Sequence, residues 1–233
     1  MPQPKLKKLD RSDLPEYLTE ILVVMISIGL FAFIRLTGRV VDGTTVDFDH
    51  QLLLMLRNPA DLADPVGPEW LEVIVRDLTS LGGVVTLGLL TLAVCGYFWL
   101  QHKPRMALFV LLSIAGGSLF NSVLKEFFER PRPDLVPHST AAAMSSFPSG
   151  HAMMSAVAYL TLGALLAHAS GKVSIKIYIL GWSLLLTILV GVSRVYLGVH
   201  WPTDIIAGWV AGGVWALLSL LASRWFVSNS TTI

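Results

Sequence analysis

The stretch Ile175–Asp204 reads IKIYILGWSLLLTILVGVSRVYLGVHWPTD. Up to about Val192 it is a nearly unbroken apolar run, long enough to cross a bilayer as a helix. It opens with no linker onto Ser193, Arg194, His200 and Asp204. A cation, a histidine and a carboxylate thus sit at the mouth of a membrane bundle, not in a separate soluble domain. Pro202 suits the opening turn of a further helix. His200 and Asp204, four apart, share a face if that turn is helical.

Five more runs approach the roughly 20 residues that a spanning helix needs. They are Leu18–Leu36, Val84–Leu100, Met106–Leu124, Ala152–His168 and Asp204–Phe226. The expected fold class is therefore all-α: a polytopic membrane protein with six transmembrane helices, forming a single membrane-embedded domain over residues 1–233. Composition agrees. The chain is 54% hydrophobic and only 14% charged, whereas soluble domains carry about a quarter charged residues. A net charge of +1 provides no platform for nucleic acid. The lone Cys95 lies in an apolar run, which excludes a disulfide framework and a cysteine metal site. Gly116-Gly117 and Gly208 with Gly212-Gly213 suit close helix packing in a membrane.

Charge sets the expected orientation. Lys5, Lys7, Lys8 and Arg11 precede the first span, Lys103 and Arg105 lie between the second and third, Lys172 and Lys176 near the start of the fifth, and Arg224 near the end. With six spans these fall on one side, cytoplasmic by the positive-inside rule, together with both termini. The other face then receives Thr37–Gly83, Lys125–His151 and Ser193–Thr203. Residues 37–83 are acidic, with eight acids against three arginines. Within them Val46–Leu56 and Trp70–Leu81 each read as a short amphipathic helix, either lying at the interface or capping the bundle.

Three clusters on that face carry chemistry. Lys125 and Arg132 are seven residues apart, close to two helical turns. Pro131 and Pro133 end that helix and leave Arg132 in an extended stretch. Pro148-Ser149-Gly150-His151 opens an apolar run. Ser149 is placed to cap it, Gly150 lets backbone come close, and the N–H groups of the turn suit an anion. In the third cluster Arg194 adds a cation, and Asp204 can bond one ring nitrogen of His200, fix its tautomer and leave the other free to attack. Cations of this kind stabilise the charge spread over a transferring phosphoryl group. The residues alone leave open which histidine, His151 or His200, is the nucleophile. His50, His102, His138 and His168 lack partners at chemical spacing and read as surface or interfacial. Asn121 reads as a helix–helix hydrogen bond, and Glu126 and Glu129 as solvated or paired with Arg130.

As a set, Lys125 with Arg132-Pro133, Pro148 to His151, and Ser193-Arg194 with His200 and Asp204 resemble the type 2 phosphatidic acid phosphatase superfamily. Every fixed position of its pattern is matched, in order. The resemblance implies that His200 attacks phosphorus to form a phosphohistidine and that Asp204 orients it. It implies that His151 protonates the leaving oxygen and then activates water. It also implies that Lys125, Arg132, Ser149, Gly150 and Arg194 hold the phosphate, and that no metal or cofactor is needed. The compact layout with a large first outer segment resembles the family's bacterial phosphatidylglycerophosphate and undecaprenyl pyrophosphate phosphatases. The expected partners are the bilayer and a lipid phosphate within it: phosphatidic acid, phosphatidylglycerophosphate or undecaprenyl pyrophosphate. The expected location is a bacterial inner membrane. Two alternatives use the same residues differently. A lipid phosphotransferase would pass the phosphoryl group to a second lipid, and a non-catalytic binder would tolerate loss of His200 or Asp204.

Overall fold

A computed structural model describes residues 14–136 and 145–228. The basic N-terminal residues Lys5, Lys7, Lys8 and Arg11, together with His138, lie outside them. The chain runs α1 (Leu14–Val41), α2 (Val46–Leu54), β1 (Arg57–Asn58), β2 (Asp61–Pro65), α3 (Glu69–Ser80), α4 (Val84–Leu100) and α5 (Pro104–Phe127). After the second undescribed stretch come α6 (Gly150–Ser155), a π-helical turn (Ala156–Leu160), α7 (Thr161–Ala169), α8 (Val173–Tyr196) and α9 (Pro202–Ser228). The expectation of an all-helical chain needs one correction, because β1 and β2 pair antiparallel, with Arg57 opposite Pro65 and Asn58 opposite Asp61. Pro59 and the Asp61 carboxylate, which accepts from the Ala63 N–H at 2.9 Å, favour a turn there over another helical one.

Among the described residues, five helices are long and apolar enough to cross a membrane: Leu18–Val41, Pro104–Phe127, Gly150–Ala169, Val173–Tyr196 and Pro202–Ser223. α3 and α4 make a sixth only as a pair, bent by 46° at Leu81–Gly83. Large apolar side chains such as Phe31, Ile34, Leu119 and Ile177 project outward, two-thirds exposed, as lipid-facing residues do. The protein is an integral membrane protein.

Helix ends follow local sequence. Pro104 stands in the first turn of α5, where its missing N–H costs nothing. Phe128 turns extended, ahead of the two prolines that forbid further helix. Ser149 caps α6, its hydroxyl accepting from the Ala152 N–H at 3.5 Å. The residue before α9 is Trp201, and its N–H is taken by the Asp204 carboxylate at 3.0 Å. That is the reach-back contact of a capping box, and it ties Asp204 to the start of α9.

The core lies between α4, α5, the α6–α7 span and α9, where Val110, Ile114, Met153, Val157 and Ala211 are buried together. Lipid is as apolar as these side chains, so close packing rather than water exclusion holds the bundle. Small residues set the spacing. A Cβ at Gly212 would stand 2.4 Å from the Met153 carbonyl, and one at Gly208 2.8 Å from the Ser149 carbonyl. α9 therefore lies directly on the backbone of the turn that carries His151.

Candidate active site

α5, α6, α8 and α9 bring the three clusters together at one end of the bundle. Arg194 sits in the last turn of α8. The chain reverses through Gly198, at φ 71°, and reaches His200 just before α9. The second cluster is tied to the third through backbone, the Ser149 N–H donating to the Asp204 carbonyl at 3.0 Å. That N–H is thus spent on packing. Among the backbone donors of the turn, it is Gly150 and His151 that face the question of an anion.

His200 is 2% exposed. Arg132 Nη1 stands 3.2 Å from its Nε2 and donates to the Val199 carbonyl at 3.0 Å. A guanidinium only donates, so this contact requires the lone pair on Nε2 and the proton on Nδ1. On that side Asp204 Oδ2 lies at 3.4 Å and Ser146 Oγ at 3.3 Å. The His–Asp contact is long for a hydrogen bond, and the carboxylate is held more firmly by others. Ser146 Oγ and the Trp201 N–H bond Oδ2, while Arg130 Nη1 bonds Oδ1 at 2.6 Å. Burial pushes the His200 imidazole down to about 4, against the upward pull of the Asp204 hydrogen bond. The ring is therefore neutral across the physiological range.

The cations face this ring. Lys125, Arg132 and Arg194 lie within electrostatic reach of one another, and His151 within reach of all three and of His200. Lys125 Nζ stands beside Gly150, 3.4 Å from where a Cβ would be, with Asn121 next to it. Among the described residues Asn121 makes no helix–helix hydrogen bond through its Oδ1, which is buried and finds no partner there. Among the described residues the Nε of Arg132 and of Arg194 are also buried without an acceptor, and burial lowers the Arg132 pKa. Unpartnered guanidinium N–H groups around one histidine form a setting that favours a ligand rich in anionic oxygens.

Every predicted site residue (Lys125, Arg132, Ser149, Gly150, His151, Arg194, His200, Asp204) falls in this assembly. Several neighbours were not foreseen. Arg130 turns away from the exposed Glu126 and Glu129 and pairs instead with Asp204 and with Asp49 of α2, at 2.6 Å each. Ser146 joins the same carboxylate. Thr79 of α3 accepts from Arg194 Nη1 at 3.1 Å, and Gly82 lies against His151. Arg57, 2% exposed, donates to the Tyr196 and Ala63 carbonyls, bracing the turn before His200. Of these, only the acid-rich composition of residues 37–83 offered a signal.

An integral membrane protein with a cationic site around a buried His–Asp pair is the class that fold and geometry define. The family model described as PAP2 superfamily matches residues 106–228, which hold all three clusters. Phosphatidylglycerophosphatase B of Bacillus subtilis is 36% identical over 146 residues, 61% of this chain and 70% of that protein. Undecaprenyl-diphosphatase of Sulfolobus acidocaldarius is 43% identical over 75 residues, 32% of either chain. A solved structure, the transmembrane PAP2 type phosphatidylglycerolphosphate phosphatase from Bacillus subtilis, superposes with a TM-score of 0.68 at 28% identity, over 87% of this chain and 96% of that one. The chain belongs to the PAP2 superfamily, as one of its membrane phosphatases.

Proposed function

We infer that the protein hydrolyses a phosphomonoester or pyrophosphate of a membrane lipid, with His200 as nucleophile. The observation that carries this is the pair of contacts on the His200 ring: Arg132 Nη1 stands 3.2 Å from Nε2 and Asp204 Oδ2 3.4 Å from Nδ1, which favours the tautomer with its lone pair on Nε2, toward the cations. In the first step Nε2 attacks phosphorus, a P–N bond forms, and the bond to the lipid oxygen breaks. His151 gives that oxygen its proton. Asp204 stabilises the charge that appears on the His200 ring. In the second step His151 takes a proton from water, the water oxygen attacks phosphorus, and the P–N bond breaks to release phosphate. Lys125, Arg132, Arg194 and the backbone at Gly150 stabilise the equatorial oxygens. Ser149 shapes the turn that presents them.

The bent α3–α4 pair serves as the second of six spans, with both termini cytoplasmic and the site at the outer face of a bacterial inner membrane. The short helix α2 lies at the headgroup level beside it, and α3 forms the outer end of the second span. The substrate is a lipid whose phosphate sits at that level: phosphatidic acid, phosphatidylglycerophosphate or undecaprenyl pyrophosphate. The relatives' names support this class. The test is phosphate release by purified protein in detergent, with chelator, from these three lipids and a soluble phosphomonoester. Release should persist with chelator and vanish in His200→Ala. No release from any lipid by folded wild type would refute the assignment.

A further inference from the structure

We propose that Asp49 and Arg130 are positioning residues that form, with Asp204, a charge-balanced chain setting the field on His200. The proposal rests on the reading of His200 and Asp204 as the reacting pair.

The geometry is specific. Arg130 Nη2 lies 2.6 Å from Asp49 Oδ2, and its Nη1 lies 2.6 Å from Asp204 Oδ1. The side chains of Asp49, Asp204 and Arg130 are 1%, 0% and 14% exposed. Thr203 closes the ring, its N–H and hydroxyl donating to Asp49 at 2.9 and 2.6 Å. Arg130 also lies over the Trp201 ring, 5.7 Å from its centre. Neither Asp49 nor Arg130 belongs to the three clusters.

Charge explains why two residues are needed. A buried guanidinium bonded to Asp204 alone would cancel the carboxylate's charge, and with it the stabilisation of a charged His200 ring. A second carboxylate on the other guanidinium nitrogen restores one net negative charge to the chain. It does so from α2, in the segment between the first and second expected spans. Among the described residues, the remaining charged or titratable groups around His200 are Arg132 beside Nε2, Arg194 at the end of α8, His151, and Lys125 beyond His151 across the site. All are cations or become cations on protonation, so the negative field on the ring comes from the Asp204 side. The Asp49 contact to the Thr203 N–H adds an acceptor at the start of α9, which is favourable there but does not require Arg130.

A charge cycle separates a field role from scaffolding. Asp49→Asn, Arg130→Gln and the double variant would be made in full-length protein in detergent. The titration midpoint of His200 would be read by NMR of 15N-histidine protein, with His200→Ala supplying the assignment, and kcat and KM measured on a short-chain lipid phosphate. Asp49→Asn should lower the midpoint by roughly half a unit or more and cut kcat about tenfold with KM unchanged. Arg130→Gln should raise the midpoint. The double variant, again with one net negative charge, should return close to wild type. Midpoints unmoved in both single variants, or singles that shift the same way and add in the double, would overturn the proposal. If Arg130→Gln does not fold, Arg130→Lys replaces it. The charge role then requires a near-wild-type midpoint that Asp49→Asn still lowers, and loss of that shift overturns it. Asp204→Asn is the control. Full activity there would sink the underlying pair assignment, whereas an inactive Asp204→Asn beside an unmoved Asp49→Asn sinks only the present proposal.

Discussion

Replacing Gly208 with alanine asks whether the site depends on how closely α9 lies on the Pro148–His151 turn. A Cβ at 208 would stand 2.8 Å from the Ser149 carbonyl oxygen, 3.0 Å from Ala152 Cβ and 3.1 Å from the Met153 nitrogen. All three are backbone or Cβ atoms, so no side chain can rotate aside. Ordinary contact begins near 3.4 Å, and the two elements must part by roughly half an ångström. Overpacking by one carbon costs about 1–3 kcal/mol, against which alanine regains about 1 kcal/mol of helix propensity. The net loss of stability is therefore about 0–2 kcal/mol, which leaves the protein folded. The chemistry is more sensitive. Gly208 lies one turn after Asp204, and the Ser149 N–H to Asp204 carbonyl bond, 3.0 Å long, stretches first. Misplacement by about 1 Å can cost 100-fold in rate, so half of that should cost about tenfold. Phosphate release in detergent, with thermal unfolding followed by tryptophan fluorescence, reads both quantities. Gly213→Ala is the control, since a Cβ there meets nothing within 4 Å among the described residues. Wild-type kcat in Gly208→Ala, or equal losses in both variants, would refute the reasoning.

Asp204→Asn should keep the fold and lower kcat by about 10³-fold or more, because the amide can present the wrong group to Nδ1; unchanged turnover would remove Asp204 from the mechanism. His200 is held down to about 4 by burial, while an unfolded histidine titrates near 6.5. Its neutral form therefore contributes stability in full above about pH 6.5, and that contribution is lost as pH falls through about 4. The matching acid limb of kcat/KM should lie well below 6.5, and a limb at or above 6.5 that holds across substrates of different phosphate pKa would contradict it. Arg57→Met should lower the unfolding temperature by several degrees, since the buried Tyr196 carbonyl loses its donor at about 1–3 kcal/mol; an unchanged melting curve would show that the brace is idle.

Much of this was legible in the sequence because it is local. Apolar length marked the membrane helices, and prolines marked the C-terminal end of α5 and the start of α9. Short spacings put Lys125 with Arg132 and His200 with Asp204. The illegible part depends on contacts across the chain. Arg130 has Glu126 and Glu129 as near neighbours, yet it takes Asp49, 81 residues away, because a buried acid desolvates with it whereas exposed glutamates stay in water. Arg57 reaches Tyr196 across 139 residues, and Ser146 reaches Asp204 across 58. No periodicity encodes these pairings. The hairpin at Arg57–Pro65 was missed because two strands so short carry no alternating pattern. The bend between α3 and α4 hides in Gly82-Gly83, which reads equally well as a loop.

The π-turn at Ala156–Leu160 gives the span that begins at Gly150 one residue more than an α-helix of that rise would hold. Each helical residue turns the chain by about 100°, so the insertion rotates everything above it against everything below. Below, Gly163 meets Ser183 so closely that a Cβ would stand 2.0 Å from its hydroxyl, locking α7 to α8. Above, Ala152 and Ala156 face the glycines of α9, and His151 faces the cations. The two halves are thus in different phase, each correct for its own neighbours. Deleting one residue within 156–160 would bring them into a single phase, and the outcome would be decided by which contact is harder to break. If α7 keeps its grip on α8, His151 swings out of the site in a helix that is more regular than the native one.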